Sequence, residues 1–184
     1  MTEQKQQTSE GGTAGISLYE FYVLCIDRLL VKAPWELGRA VSEYHEVFLT
    51  EQRCIGLTML LLLGEEHVPL DAASTVPGFE DQARASVNQA VFMRALKEYF
   101  ARTRFDTSRA ERVLARMTSY IDDVRQAVQA GKQPLARMLA TIIKRVPPKD
   151  ARQRELYAER IEKMYDYIEN MVQNELLARY RIVD

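Results

Sequence analysis

Histidine and cysteine are scarce in this sequence: 184 residues hold two of each. Two cysteines, Cys25 and Cys54, exclude a disulfide scaffold and a four-cysteine zinc site. The two histidines are His45 and His67. A di-iron helical bundle needs two Glu-x-x-His motifs, but Ser42 and Gly64 stand three residues before the histidines. His45-Glu46 would open a zinc-protease motif only with a histidine at 49, where Leu49 stands. Phosphate loops are missing too, since Gly131-Lys132-Gln133 lacks both the upstream glycine and the hydroxyl residue. There is no nucleophile elbow and no dinucleotide fingerprint. No catalytic residue, metal site or cofactor is expected, and the chain reads as a non-enzyme.

Glycine and proline are also few, eight and six, and most fall between apolar stretches. That pattern excludes a collagen-like chain and disfavours a many-turned β sandwich. Long apolar runs are absent. The densest, Ile55 to Leu63, is nine residues, less than half of the roughly 20 that a membrane crossing needs. The opening segment, MTEQKQQTSEGGTAG, has neither the apolar core of a signal peptide nor the arginine pattern of a transit peptide. Residues 1–16 read as a disordered polar tail, and the protein as soluble and cytoplasmic, with no membrane insertion.

What remains is helical periodicity. Ser17 and Glu20 form a capping box that opens the first helix. Pro34 ends it. A stripe of Leu37, Val41, Tyr44, Phe48, Ile55, Met59 and Leu62 follows, with Glu51 its one polar interruption. The segment from Trp35 to Leu63 is one long helix or two joined near Thr50. From Ile55 onward it is apolar nearly all round, so it should be the buried centre of the fold. Gly64 is expected to end it in a left-handed conformation.

Residues 64–78 are the one long connection. A third helix, about 79–104, should bury Ala83, Val87, Ala90, Val91, Leu96 and Phe100. A fourth, capped by Asp106 or Thr107, should bury Val113, Met117, Tyr120, Ile121, Val124 and Val128. A fifth starts at Pro134 and stops at Pro147-Pro148. The last begins near Asp150 and runs without glycine or proline to Ile182, a span of roughly 45 Å. No stretch alternates as a strand, and no internal repeat is present. The expected fold is an all-α, single-domain bundle of five to seven helices over residues 17–184, its long C-terminal helix, 150–182, free to project.

Two features bear on function. The first is the last helix, where Tyr157, Ile161, Met164, Ile168 and Met171 repeat every 3.5 residues. Such a stripe is either the inner face of the bundle or a contact for a partner helix. The second is charge. Residues 1–91 carry a net −7, residues 92–154 a net +9 and residues 155–184 a net −3. The basic face of the middle segment comprises Arg102, Arg104, Arg109, Arg112, Arg116, Lys144 and Arg145.

The leading expectation is a non-enzymatic protein–protein interaction module, a helical adaptor or subunit of a larger complex. Its partner, a second protein or a second copy of the chain, would meet the stripe from Tyr157 to Met171. The alternative is a nucleic-acid-binding protein that uses the basic segment 92–154. The third is a small-molecule-binding bundle, for which no polar anchor is evident. The acid pairs Glu65–Glu66 and Asp122–Asp123, and His67 beside the first of them, read more simply as solvated groups than as an acid–base site.

Overall fold

A computed structural model of the chain describes residues 13–32, 45–69 and 76–183. The protein is an all-α bundle. Among the described residues there are six α-helices and one two-stranded sheet. A short strand, β1 (Ala14–Ile16), leads into α1 (Leu18–Asp27), which continues as a π-helical turn over Arg28–Lys32. Then come α2 (His45–Glu65), α3 (Glu80–Arg102), α4 (Thr107–Gln129) and α5 (Pro134–Arg145). The chain closes with α6 (Ala151–Asn170), a π-helical turn at Met171–Leu176, and β2 (Tyr180–Ile182).

Helix α2 is the centre. Every residue from Cys54 to Leu61 is buried, and α4, α6 and α3 pack around it. Helix α1 lies on α3, and α5 bridges α4 and α6. The part of the central segment from Trp35 to Tyr44, and with it the question of one helix or two, lies outside the described residues.

Caps at the helix starts follow the sequence. Ser17 and Glu20 satisfy each other's backbone at the start of α1. Asp106 accepts from the Arg109 amide at 2.8 Å, and Asp150 from the Gln153 amide at 2.7 Å. Pro134 sits in the first turn of α5, where its missing N–H costs nothing. Gly131, just past α4, has φ +69°, a conformation that glycine reaches without steric penalty.

Four expectations need correction. First, Gly64 is no helix terminus, because α2 runs on to Glu65. Its bare Cα makes room for the Tyr22 ring, whose Cζ would stand 2.8 Å from a Cβ placed there. Second, α3 is rotated from its expected face. Asn88, Phe92, Ala95, Leu96 and Phe100 point inward, while Val87 is 45% exposed. Asn88 can occupy the core because its amide is satisfied on both sides. It accepts from the Tyr22 hydroxyl and donates to the Leu61 carbonyl at 2.8 Å.

Third, the last helix does not run to Ile182. It widens at Met171 into the π-helical turn, where Val172 and Leu176 are buried, and stops before β2. Glu175, which interrupts the stripe, faces Arg28 and pairs with it. Fourth, strands exist. Ala14–Ile16 pairs in parallel with Tyr180–Ile182, so the last residues of the expected tail are ordered by the far end of the chain. Three residues are too few for alternation to announce a strand. Residues 1–12 lie outside the described ones.

Two predictions follow from this packing. Gly64→Ala gains up to about 1 kcal/mol in helix propensity but drives a methyl into Tyr22, an overpacking cost of about 1–3 kcal/mol. The melting temperature should fall by several degrees; an unchanged or raised value would contradict the seating of the Tyr22 ring against Gly64. The second concerns Asp106. Hydrogen bonds from the Ser108 hydroxyl and the Arg109 amide hold its carboxyl below the usual range. Its folded value thus lies below its unfolded one. Its contribution is full above the unfolded value and is lost as pH falls through the folded one. Asp106→Asn should flatten the acid limb of a stability–pH curve, read by denaturant unfolding from pH 2 to 6.

Candidate functional site

A carboxylate placed on an apolar helical stripe must either reach solvent or find donors inside the protein. Glu51 is on the buried side of α2 and is 2% exposed. It has found two hydrogen-bond donors and a further ion-pair partner. The Tyr120 hydroxyl donates to its Oε2 at 2.7 Å, and Arg145 Nη1 to the same oxygen at 3.1 Å. Arg116 Nε approaches Oε1 at 3.0 Å. Tyr120 and Arg116 come from α4 and Arg145 from the last turn of α5, so one carboxylate joins three helices.

The arginines are held in turn. Arg145 Nη2 donates to Ser119 Oγ at 2.8 Å, and its guanidinium stacks 4.5 Å from the centre of the Tyr120 ring. Burial works against the charge on Arg145, but Glu51 and Tyr120 together outweigh it and raise its pKa. Burial, reinforced by the Glu51 charge, pushes the Tyr120 phenol well above its ordinary range, so the hydroxyl stays a donor. Beside this cluster opens a cleft of about 380 Å³, whose wall includes Arg112.

A second opening lies at the other end of α2. There α3 and α4 diverge, leaving a groove of about 1070 Å³. Leu62 and Val124 line it, with Ala85 on the α3 side and Val128 on the α4 side. Val128 is 53% exposed, which corrects the expectation that it joins the core. In the last turn of α4 the inward position falls to Ala127, which is buried, and Val128 beside it lines the groove. Glu65, Glu66 and Asp81 edge the groove together with Arg84 and Arg125. Arg125 pairs with Glu65 at 3.2 Å and also donates to Gln89 at 3.1 Å.

The stripe expected to meet a partner is turned inward. Tyr157, Ile161, Met164, Ile168 and Met171 are each at most 3% exposed. Burying that much apolar surface against the bundle is worth more than leaving it for a partner, and a partner could reach it only if α6 left the bundle. The basic face divides. Arg102 pairs with Asp27 at 3.6 Å and lies over the Tyr99 ring, and Arg116 and Arg145 belong to Glu51. Arg104, Arg109, Arg112 and Lys144 are exposed and make no ion pair with a described residue.

The other candidates are structural. Asp123 holds Arg137 at 3.3 Å and Thr141 at 3.1 Å. The His67 ring lies 3.2 Å from the Gln173 amide. Both thiols are buried, and desolvation raises them, Cys54 to about 12. Neither is a ready nucleophile at neutral pH. Among the described residues, no three His, Cys, Asp or Glu side chains converge as metal ligands would, and no helix is long and apolar enough to cross a membrane.

Sequence reasoning missed Glu51 as a hub, although it noticed the residue as an interruption. The signal was there: a lone acid on an apolar stripe, in a chain whose arginines concentrate elsewhere. No known protein family matches this chain, and neither a curated protein nor a solved structure matches it.

Removing the hub should be costly. Glu51→Ala leaves two guanidiniums and a phenol without their acceptor, and breaking such a buried pair costs about 3–5 kcal/mol. Tyr120→Phe removes one bond to a charged acceptor and should cost about 1.5–3 kcal/mol. Equilibrium urea unfolding checks both. Losses under about 0.5 kcal/mol, the range of ordinary surface substitutions, would show that Glu51 is solvated.

Proposed function

We propose that this chain is a non-enzymatic protein-interaction module, a small helical subunit or adaptor. In this reading it receives an amphipathic helix of a partner protein in the groove between α3 and α4. The observation that carries it is the shape and lining of that groove. Leu62 and Val124 form an apolar floor, Val128 stands half exposed above it, and charged side chains surround it. An apolar strip with a polar rim is what an amphipathic helix fits. A helix about 10 Å across with a pitch of 5.4 Å fills roughly 420 Å³ per turn. The groove's volume of about 1070 Å³ therefore corresponds to between two and three turns.

The rim gives the partner a sign. Arg125 neutralises Glu65, and Arg84 donates to the Glu66 backbone carbonyl at 3.2 Å. Among the described residues, Glu66 and Asp81 have no ion-pair partner. The complementary helix carries lysine or arginine beside its apolar stripe. This reading moves the contact from α6, whose stripe is core, to a face that solvent reaches.

The nucleic-acid alternative rests on the exposed α4 positions Arg109 and Arg112. It is the weaker reading because Arg102, Arg116 and Arg145 already pair within the chain.

Val128→Asp tests the groove. Val128 is exposed, so the substitution should shift stability by no more than about 0.5 kcal/mol. Proteins that co-purify with the wild-type chain from its native cell under low salt, after nuclease treatment, should be lost with the variant. Retention of the same partners at the same yield would contradict the proposal.

A further inference from the structure

Three arginines, Arg112, Arg116 and Arg145, line the cleft beside Glu51, and the only carboxylate in that lining is Glu51 itself. One negative charge against three positive ones leaves an excess of two positive charges in a concave space. The excess is built in. Glu51 takes one N–H from Arg145 and forms an ion pair with Arg116 Nε, and Ser119 takes one more N–H from Arg145. A guanidinium has five N–H donors in a fixed fork. Among the described residues the two Nη groups of Arg116 have no partner, and Arg112 has none at all.

Arg145, on the inner wall of the cleft, is also pre-positioned. Glu51 is buried and accepts from Tyr120 and Arg145, and Arg145 is stacked on Tyr120 and is only 19% exposed. Holding an arginine this way removes the rotamer entropy that a free surface arginine would lose on capturing a ligand. The rest of the lining is two hydroxyls, Thr50 and Ser119, and the small Ala115. Guanidinium forks beside hydroxyls are the donor set that phosphate oxygens take.

We propose that this cleft binds a small phosphate compound, with Arg112 and the outer nitrogens of Arg116 on the phosphate oxygens and Glu51 as the positioning residue behind them. A volume near 380 Å³ suits a compact polyanion rather than a backbone that must enter and leave. The site is independent of the groove for a partner helix. Glu51 and Glu65, one at each, are fourteen residues apart on α2, roughly 21 Å along the helix.

The experiment uses the full chain with pyrophosphate and inorganic phosphate as probes. Thermal unfolding and calorimetric titration are run against sodium chloride at equal ionic strength. Pyrophosphate should raise the melting temperature, and Arg112→Gln should weaken its binding by roughly ten-fold or more, the loss of one charge-assisted contact. The melting temperature of the free variant should not change, because Arg112 holds nothing in place. Arg109→Gln, on the same helix and outside the cleft lining, should bind as the wild type does. Three results would overturn the proposal. One is no stabilisation beyond the chloride control. Another is equal binding by Arg112→Gln. The third is a single-stranded oligonucleotide that binds more tightly than pyrophosphate and depends on Arg112 and Arg109 alike, which would assign the face to nucleic acid.

Discussion

Glu51 is a buried carboxylate at the edge of the hydrophobic core, and the arrangement of α2, α4 and α5 depends on how it is satisfied. An ionised carboxylate stripped of water costs several kcal/mol even after the protein relaxes around it. Two hydrogen bonds and a further ion pair, from two helices, offset that cost. Those partners reach the two oxygens only if α4 presents Arg116 and Tyr120 together, and only if α5 ends where Arg145 can turn back. An apolar residue at 51 would tolerate several rotations of α4 against α2. The carboxylate tolerates one.

The same logic resolves the uneven spread of charge along the chain. The acidic first half and the basic middle segment meet in space. Asp27 faces Arg102, Glu51 faces Arg116 and Arg145, and Glu65 faces Arg125. Each pair joins an element of the first half to α3, α4 or α5. At the other boundary Arg28 takes Glu175 from the turn after α6. The partly exposed pairs add little stability each, but they oppose wrong pairings of the helices, because a slipped arrangement would set like charges together. What these pairs leave over, Arg112 and its neighbours on one face and Glu66 and Asp81 on another, marks the two openings at the ends of α2.

Much of the fold was legible in the sequence because helices are periodic and their starts are chemical. Ser17, Asp106, Pro134 and Asp150 announced four helix starts, and the run after Ile55 announced the buried centre. What was not legible has a common cause: it concerns pairs of residues far apart in the chain. Gly64 looks like a terminator until Tyr22 is seen lying against it. Asn88 looks like a surface residue until Tyr22 and Leu61 satisfy its amide. The stripe from Tyr157 to Met171 fitted both a core and a partner contact, and periodicity alone does not separate them. The groove left no sequence signal, since a gap between helices is a property of how they diverge. The cleft left half of one: its arginines were noticed, and the carboxylate that organises them was read as an interruption.

The claim that a single buried carboxylate fixes the helix arrangement is tested most directly by a double-mutant cycle between Glu51 and Arg145. Glu51→Gln, Arg145→Met and the double variant would be compared with wild type by urea unfolding. If the pair acts as described, the coupling is large, about 1.5 kcal/mol or more, and the double variant is less damaged than the two single losses added together. Additivity within about 0.3–0.5 kcal/mol, the behaviour of independent sites, would mean that the two side chains do not share a site, and the account of the core would fail with it.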